Sequence, residues 1–342
     1  MHIDSDSLGA LRDILLSPVA RFFQPGAQTF WSSYVGAAIV AGLYYLWSRR
    51  NRKTTLKGLF RYLFPRKIVR SLSTRLDLKM YIMSSLFLAL QAAVWFSGMK
   101  GLNEIFLKGL VYILGPGAKD HALGFGAVLF IPIVLYLALE LGYWLSHYWL
   151  HHIDWLWELH KVHHSAEVMT PATEWRQHPV EYIFVPLVMG VISSAALAAL
   201  KWGFGPDPTL AQFWSPSLIL LVFVMTYLHL RHSHVNLTAP GILGYVFQSP
   251  AHHQIHHSTD PRHFDKNLGF CLSVWDFVFG TLYIPRKNET MTLGLFDEHG
   301  KKDELVTSGS LWRHMALPVE RCFRKIPLIR SKPVRQPAKG NA

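Results

Sequence analysis

Long uncharged stretches alternate with basic or histidine-rich ones along this chain. SSYVGAAIVAGLYYLWS (32–48) carries no charge, and KMYIMSSLFLALQAAVWFSGM (79–99) is apolar after its leading Lys79. LGFGAVLFIPIVLYLALELGYWLSH (123–147) contains one acid, Glu140. VEYIFVPLVMGVISSAALAALKW (180–202) and FWSPSLILLVFVMTYLHL (213–230) complete the set. Each approaches the roughly 20 helical residues that cross a bilayer's hydrocarbon layer. The pattern predicts an all-α polytopic membrane bundle of four or five spans. NEIFLKGLVYILGPGA (103–118) is shorter and interrupted, and reads as a re-entrant or interfacial helix. Residues 8–24 read as an amphipathic surface helix or a frayed tail. MHIDSDSLGALRD lacks the basic-then-apolar order of a cleavable signal.

Charge sets the orientation. The net charge is +12, and RRNRKTTLKGLFRYLFPRKIVRS (49–71) is dense in Arg and Lys. Between two apolar stretches this reads as a cytoplasmic loop beside anionic headgroups, not a nucleic-acid site. With loop 49–78 cytoplasmic, 79–99 exits, 123–147 returns, 180–202 exits and 213–230 returns. Residues 147–179 and everything after 230 then share the cytoplasmic side. The basic, proline-containing segment 321–340 reads as disordered or surface-bound. Cys271 and Cys322 are the only cysteines. That excludes a disulfide scaffold and any thiolate-based zinc or iron–sulfur site.

Of 19 histidines, seven fall in 147–178 and eight in 229–263. His147 and His151 form HxxxH. His160, His163 and His164 form HxxHH, as do His253, His256 and His257, and His232 lies between these two groups. A lone histidine is more often a surface or satisfied core residue than a ligand. Three spaced groups at span boundaries are not explained that way. Positions i, i+3 and i+4 lie on one side of a helix, so HxxHH is expected to aim three imidazoles together. These groups would supply two ions. His152, His234, His252 and His263 neighbour the motifs but break their spacing.

HYWLH, HKVHH and HQIHH resemble the three histidine boxes of the fatty acid hydroxylase / sterol desaturase superfamily of integral-membrane di-iron enzymes. LGYWLSH, LWELHKVHHS, WRQHPVE (175–181), SPAHHQIHH, DKNLG (265–269) and WDFVFGT (275–281) extend the resemblance over roughly 125–285. It implies a helical membrane bundle under a cytoplasmic helical cap that holds two iron ions. It also implies O2 as co-substrate and a lipid substrate. The ligands it implies are His147, His151, His160, His163, His164, His253, His256 and His257, with His232 as the extra histidine. His178 stays open between ligand and structural residue. Glu140, Glu174, Arg176, Asp265, Asn267 and Asp276 are candidates to orient the rings, with Asn236 and Glu181 behind them. Glu140 stands where many members carry Asp, and His152 where many carry Arg.

The chain then divides into a tail (1–31), N-terminal spans with the basic loop (32–122), a hydroxylase/desaturase-like domain (123–286) and a basic cytoplasmic tail (287–342). The chemistry implied is oxidation of an unactivated C–H bond of a sterol, fatty acyl chain, ether lipid, aminolipid or carotenoid. Hydroxylation and desaturation share every box. GFGAVLF lacks the GxGxxG turn, and no HPGG haem signature is present. Electrons are therefore expected from a separate ferredoxin or cytochrome. A metal transporter would place its ligands near the bilayer midplane. A non-catalytic metal-binding membrane protein is the other alternative, and spacing alone leaves zinc open beside iron.

Overall fold

A computed structural model describes residues 16–24, 27–118, 125–205, 215–286, 289–297 and 299–325. The described residues contain helices and three isolated bridges, with no named strand. The long helices are α1 (Trp31–Ser48), α3 (Leu72–Leu114), α4 (Phe125–His152) and α6 (Glu181–Phe204). Between α1 and α3 lies α2 (Leu56–Leu63). Helix α5 (Asp154–His164) follows α4 after one residue, Ile153. Helix α7 (Ser215–Phe223) runs through a π turn (Val224–Leu228) into a last turn (His229–Arg231). The cap adds α8 (Leu243–Val246), α9 (Pro250–His256), α10 (Val274–Val278) and α11 (Leu311–Lys325).

Local sequence explains the helix starts. Thr55 accepts from Gly58 N at α2, and Ser71 accepts from Thr74 N at α3. Ser249 forms a capping box with His252, and Pro250 occupies the first turn of α9. Helix α6 packs along both α3 and α4. It runs antiparallel to α4, since Ala127 and Leu135 meet Leu200 and Phe204. At Gly142 the two backbones come so close that a Cβ would lie 2.6 Å from Met189 Cα. Among the described residues, two helical segments are long and apolar enough to cross a membrane, Phe130–His152 and Glu181–Phe204; Ile219–Arg231 is shorter.

Two expectations differ from the structure. The break expected between 79–99 and 103–118 is absent, because α3 is one helix of 43 residues, about 65 Å long. Asn103 Nδ2 donates to Ser194 O, and Ser194 Oγ donates to Met99 O. These bonds carry α3 along α6 past the polar residues where hydropathy falls. The tail expected over 287–342 is folded in its described part. Helix α11 packs on α5 through Cys322, Val319, Leu156 and Leu159. Lys161 and Lys325 converge on the buried carboxylate of Glu158. Residues 326–342, and residues 8–15 of the expected surface helix, lie outside the described residues; 16–23 are helical.

Gly142→Leu should force α4 from α6 and cost about 1–3 kcal/mol. The melting temperature in detergent should fall by several degrees, and an unchanged value would contradict the close approach.

Candidate metal centre

The boxes sit where three helices end. Helix α4 carries His147 and His151 on its last turns, α5 carries His160, His163 and His164, and α9 carries His253 and His256, with His257 next in the chain. His232 follows α7 directly. Nine ring nitrogens gather into two groups. The first comprises His147, His151, His160, His164 and His256, and the second His163, His232, His253 and His257. Within each group the ligand atoms lie within 4.8 Å of one another. All nine rings are buried, the His151 side chain being 5% exposed.

The expectation that HxxHH aims three rings together is corrected. Helix α5 gives His160 and His164 to the first group and His163 to the second. Helix α9 does the reverse, giving His253 and His257 to the second and His256 to the first. At about 100° per residue, i and i+4 diverge by only about 40°, whereas i+3 and i+4 diverge by about 100°. Each motif therefore straddles two sites.

The other ring nitrogen shows which lone pair faces inward. His147 Nδ1 donates to Leu268 O at 2.8 Å, His163 Nδ1 to Arg176 O at 3.2 Å and His256 Nδ1 to Lys266 O at 3.0 Å. His151 Nδ1 faces Asp265 Oδ1 at 3.2 Å, His160 Nδ1 faces Glu181 Oε2 at 2.6 Å and His232 Nδ1 faces Glu174 Oε2 at 2.8 Å. A neutral imidazole with its proton on Nδ1 has only a lone pair on Nε2. Yet His147 Nε2 and His160 Nε2 are 3.2 Å apart, as are His163 Nε2 and His232 Nε2. Lone pairs so placed repel unless a cation lies between them. His151, His164 and His256 each bury an Nε2 with no hydrogen-bond partner. This donor set fits two metal ions, one per group. His253 is the exception: its Nδ1 accepts from Arg231 Nη2 at 2.9 Å, which leaves its proton on Nε2, 2.8 Å from His232 Nε2, to be released when this ring binds metal.

Burial, followed by mutual repulsion among rings, holds His160, His164, His256 and His257 well below the usual imidazole value. For His163 and His253 burial leads again, followed by His232 and Arg231 respectively. These rings are neutral at pH 7, the form that binds metal. Burial alone would raise Glu174, but His232 and then Arg231 bring it down to about 2. Glu174 therefore stays ionised against the His232 ring.

The remaining candidates act at different distances. Asp265 and Asn267 adopt left-handed backbone, with φ 57° and 56°. Such strain in non-glycine residues is held by surrounding structure. Here Asn267 Nδ2 donates to His252 O, and Asn267 Oδ1 accepts from Tyr283 N. That turn presents the Lys266 and Leu268 carbonyls to two rings. Asp276 accepts from Leu268 N, Gly269 N, Trp144 Nε1 and Gln248 Nε2. Arg176 reaches a ring only through its carbonyl, and its guanidinium is locked by Asp77, Ser73 and Ser165. Glu140 touches no ring and accepts from Cys271 N and Leu272 N. Asn236 donates to Gln254 Oε1.

His178 lies outside both groups. Its Nε2 bonds Met315 O at 3.1 Å and its Nδ1 accepts from Val180 N at 3.3 Å, pinning α11 to the start of α6. His152 stacks on Tyr148, and His263 faces Glu289. Arg231 and Asp77 were not foreseen. Arg231 directly follows the last predicted span (213–230) as a lone cation, and Asp77 stands as a lone acid just before another (79–99). A buried charge in either place is the signal that could have marked them.

Residues 132–281 match the family model described as fatty acid hydroxylase. The chain is 31% identical to an alkylglycerol monooxygenase of Caenorhabditis elegans over 154 residues, which is 45% of this chain and 27% of the relative. It is 30% identical to the alkylglycerol monooxygenase of Homo sapiens over 47% of this chain and 32% of that protein. It is 27% identical to the ornithine lipid hydroxylase OlsE of Rhizobium tropici over 46% of this chain and 43% of the relative. The matches thus span less than half the length of these curated relatives. No solved structure matches the chain.

Cobalt added to chelator-treated protein should saturate its visible bands at two equivalents. His164→Ala and His257→Ala should each weaken one equivalent, whereas His178→Ala should keep both. Metal-free protein should lose stability as pH falls from about 7 to about 5. Unfolded imidazoles take up protons near 6.5 and the buried rings do not, so acid favours the unfolded state. A melting temperature that rises on acidification would contradict this sign.

Proposed function

We propose that this chain, whose residues 132–281 form a fatty acid hydroxylase domain, is a multi-pass membrane monooxygenase that hydroxylates a C–H bond of a lipid. The observation that carries the reading is the pair of imidazole groups whose Nε2 lone pairs face one another at 3.2 Å. We assign His147, His151, His160, His164 and His256 to one iron, and His163, His232, His253 and His257 to the other. When bound, the irons supply the redox chemistry that reduces O2 with two electrons and oxidises an unactivated C–H bond. The balanced outcome is that R–H, O2, two electrons and two protons give R–OH and water, with one oxygen in each.

The protein's own groups do the rest. Glu181 and Asp265 keep the His160 and His151 protons on Nδ1, and Glu174 does so at His232. Packing of α5, α9 and the 265–269 turn around the rings excludes water from them. Relatives named for alkylglycerol and for ornithine lipid support a lipid with a long alkyl or acyl chain as substrate. Their names also favour hydroxylation over desaturation. Helices α1, α3, α4, α6 and α7 are read as the spans, with the basic loop 49–71 and the ring groups on the cytoplasmic side. A separate ferredoxin or cytochrome delivers the electrons. Transport is disfavoured because α5 and α9 stand beyond the end of α4, away from mid-helix.

Lipid extracts of cells with and without the protein, grown under oxygen, should differ by a species one oxygen heavier. Loss of two hydrogens would instead indicate desaturation. His163→Ala should remove the product. Glu181→Gln should weaken iron retention by about 10–100-fold, read by elemental analysis. Protein that retains no iron under any growth condition would overturn the di-iron assignment.

A further inference from the structure

Two stretches flanking α9 carry almost no charge. VNLTAPGILGYVFQSP (235–250) has none, and LGFCLSVWDFVFGTLY (268–283) has only Asp276. They pack together through α8 and α10, with the Tyr245 and Phe277 rings 6.0 Å apart. Their outer face is apolar and uncovered by the described residues. Ile242 is 77% exposed, Phe277 62%, Val278 57% and Phe279 52%. Leu243 and Tyr245 are exposed beside them. A contiguous patch of this kind marks a contact with something apolar.

The level of the patch is set by α4. Trp275 Nε1 donates to Leu137 O at 3.0 Å. Glu140 Oε2 accepts from Cys271 N and Leu272 N, both at 3.0 Å. Trp144 stacks on Phe279 with centroids 4.4 Å apart. Leu137 is ten residues before His147, about 15 Å along the helix. A hydrocarbon layer of about 30 Å occupies about 20 helical residues. With the ring-bearing end of α4 at the water boundary, Leu137, Glu140 and Trp144 lie inside that layer, and so does the segment bonded to them.

We propose that residues 268–281, with α8 beside them, form a re-entrant wedge seated among the acyl chains of the bilayer. This rests on the membrane reading given above. Irregular backbone is tolerated at such depth only where its polar groups are satisfied within the protein. Here Leu268 N and Gly269 N donate to Asp276, and Cys271 N and Leu272 N to Glu140. Gln248 N donates to Cys271 O, and Ser273 N to Val246 O. Both acids of the region thus serve as internal acceptors and neither faces lipid. Lys266 Nζ donates to Gly280 O and marks the polar edge of the wedge. The wedge is tied to both ring groups. Leu268 O holds His147, and Phe270 O accepts from Arg231, which also meets His253. Seating in lipid therefore bears directly on how two ligand rings are held.

Spin labels on Val278→Cys and Ile242→Cys, in a Cys271→Ala, Cys322→Ala background, test this in phosphatidylcholine vesicles. Ile133→Cys on α4 and Arg262→Cys on the cap serve as references. Labels at 278 and 242 should match 133, with collisions with O2 exceeding those with a water-soluble nickel chelate several-fold, and 262 should show the reverse. A nickel-accessible 278, or one shielded from both reagents, beside a lipid-like 133 would overturn the wedge and leave the membrane reading standing. A nickel-accessible 133 would overturn both. In unmodified protein, a phosphatidylcholine with a mid-chain diazirine should crosslink within 240–246 and 274–282. Crosslinks confined to α4 and α6 would count against the wedge.

Discussion

A neutral imidazole has one proton and two nitrogens, and everything at this centre depends on which nitrogen keeps it. Three backbone carbonyls hold that proton on Nδ1 in three of the nine rings, and the carboxylates of Asp265, Glu181 and Glu174 face Nδ1 in three more. The Nε2 lone pairs of His147 and His160, and of His163 and His232, then lie 3.2 Å apart in a buried space. A buried arrangement of this kind is unfavourable without a cation and strongly favourable with one. Burial also keeps the rings neutral, so binding needs little proton release.

The acceptors come from segments far apart in sequence, and each must itself be held. Glu174 and Arg176 lie on the connection between α5 and α6, and Glu181 opens α6. That connection is anchored by Asp77 on α3, which takes Arg176 Nε, Thr173 Oγ1 and Thr170 Oγ1. A fully buried ion pair contributes little net stability, but it fixes one arrangement over others. On the opposite side, Met315 O of α11 holds His178, whose backbone N–H donates to Glu181 Oε1. Glu181 Oε2 then meets His160. Helices α3 and α11 lie outside the family-matched segment 132–281, yet both support its histidine rings.

The π turn at Val224–Leu228 belongs to the same logic. It lies one turn before His229–Arg231 and His232, where an extra residue in the helical ladder re-aims the side chains after it. Gly36 of α1 meets this turn so closely that a Cβ would lie 2.1 Å from Met225 O. Helix α1 therefore bears on the position of His232, although it contributes no ring to either group.

The histidine spacings, the apolar stretches and the basic loop are covalent facts, and they sufficed to read an all-helical chain with a clustered histidine site. Helical periodicity makes such patterns legible, since spacing along the chain maps onto angle around an axis. The allotment of rings between the groups was not legible, because it depends on how α5 and α9 face each other. Nor were the Leu268, Lys266 and Arg176 carbonyls, since a backbone acceptor leaves no mark on residue identity. Glu140 looked like a group that orients rings, and Glu181 looked weaker. Packing reversed them, sending Glu140 to the backbone of 271–272 and Glu181 to His160. Spacing along one helix determined which residues could act together; the contacts between helices, which no local pattern encodes, decided which of them meet.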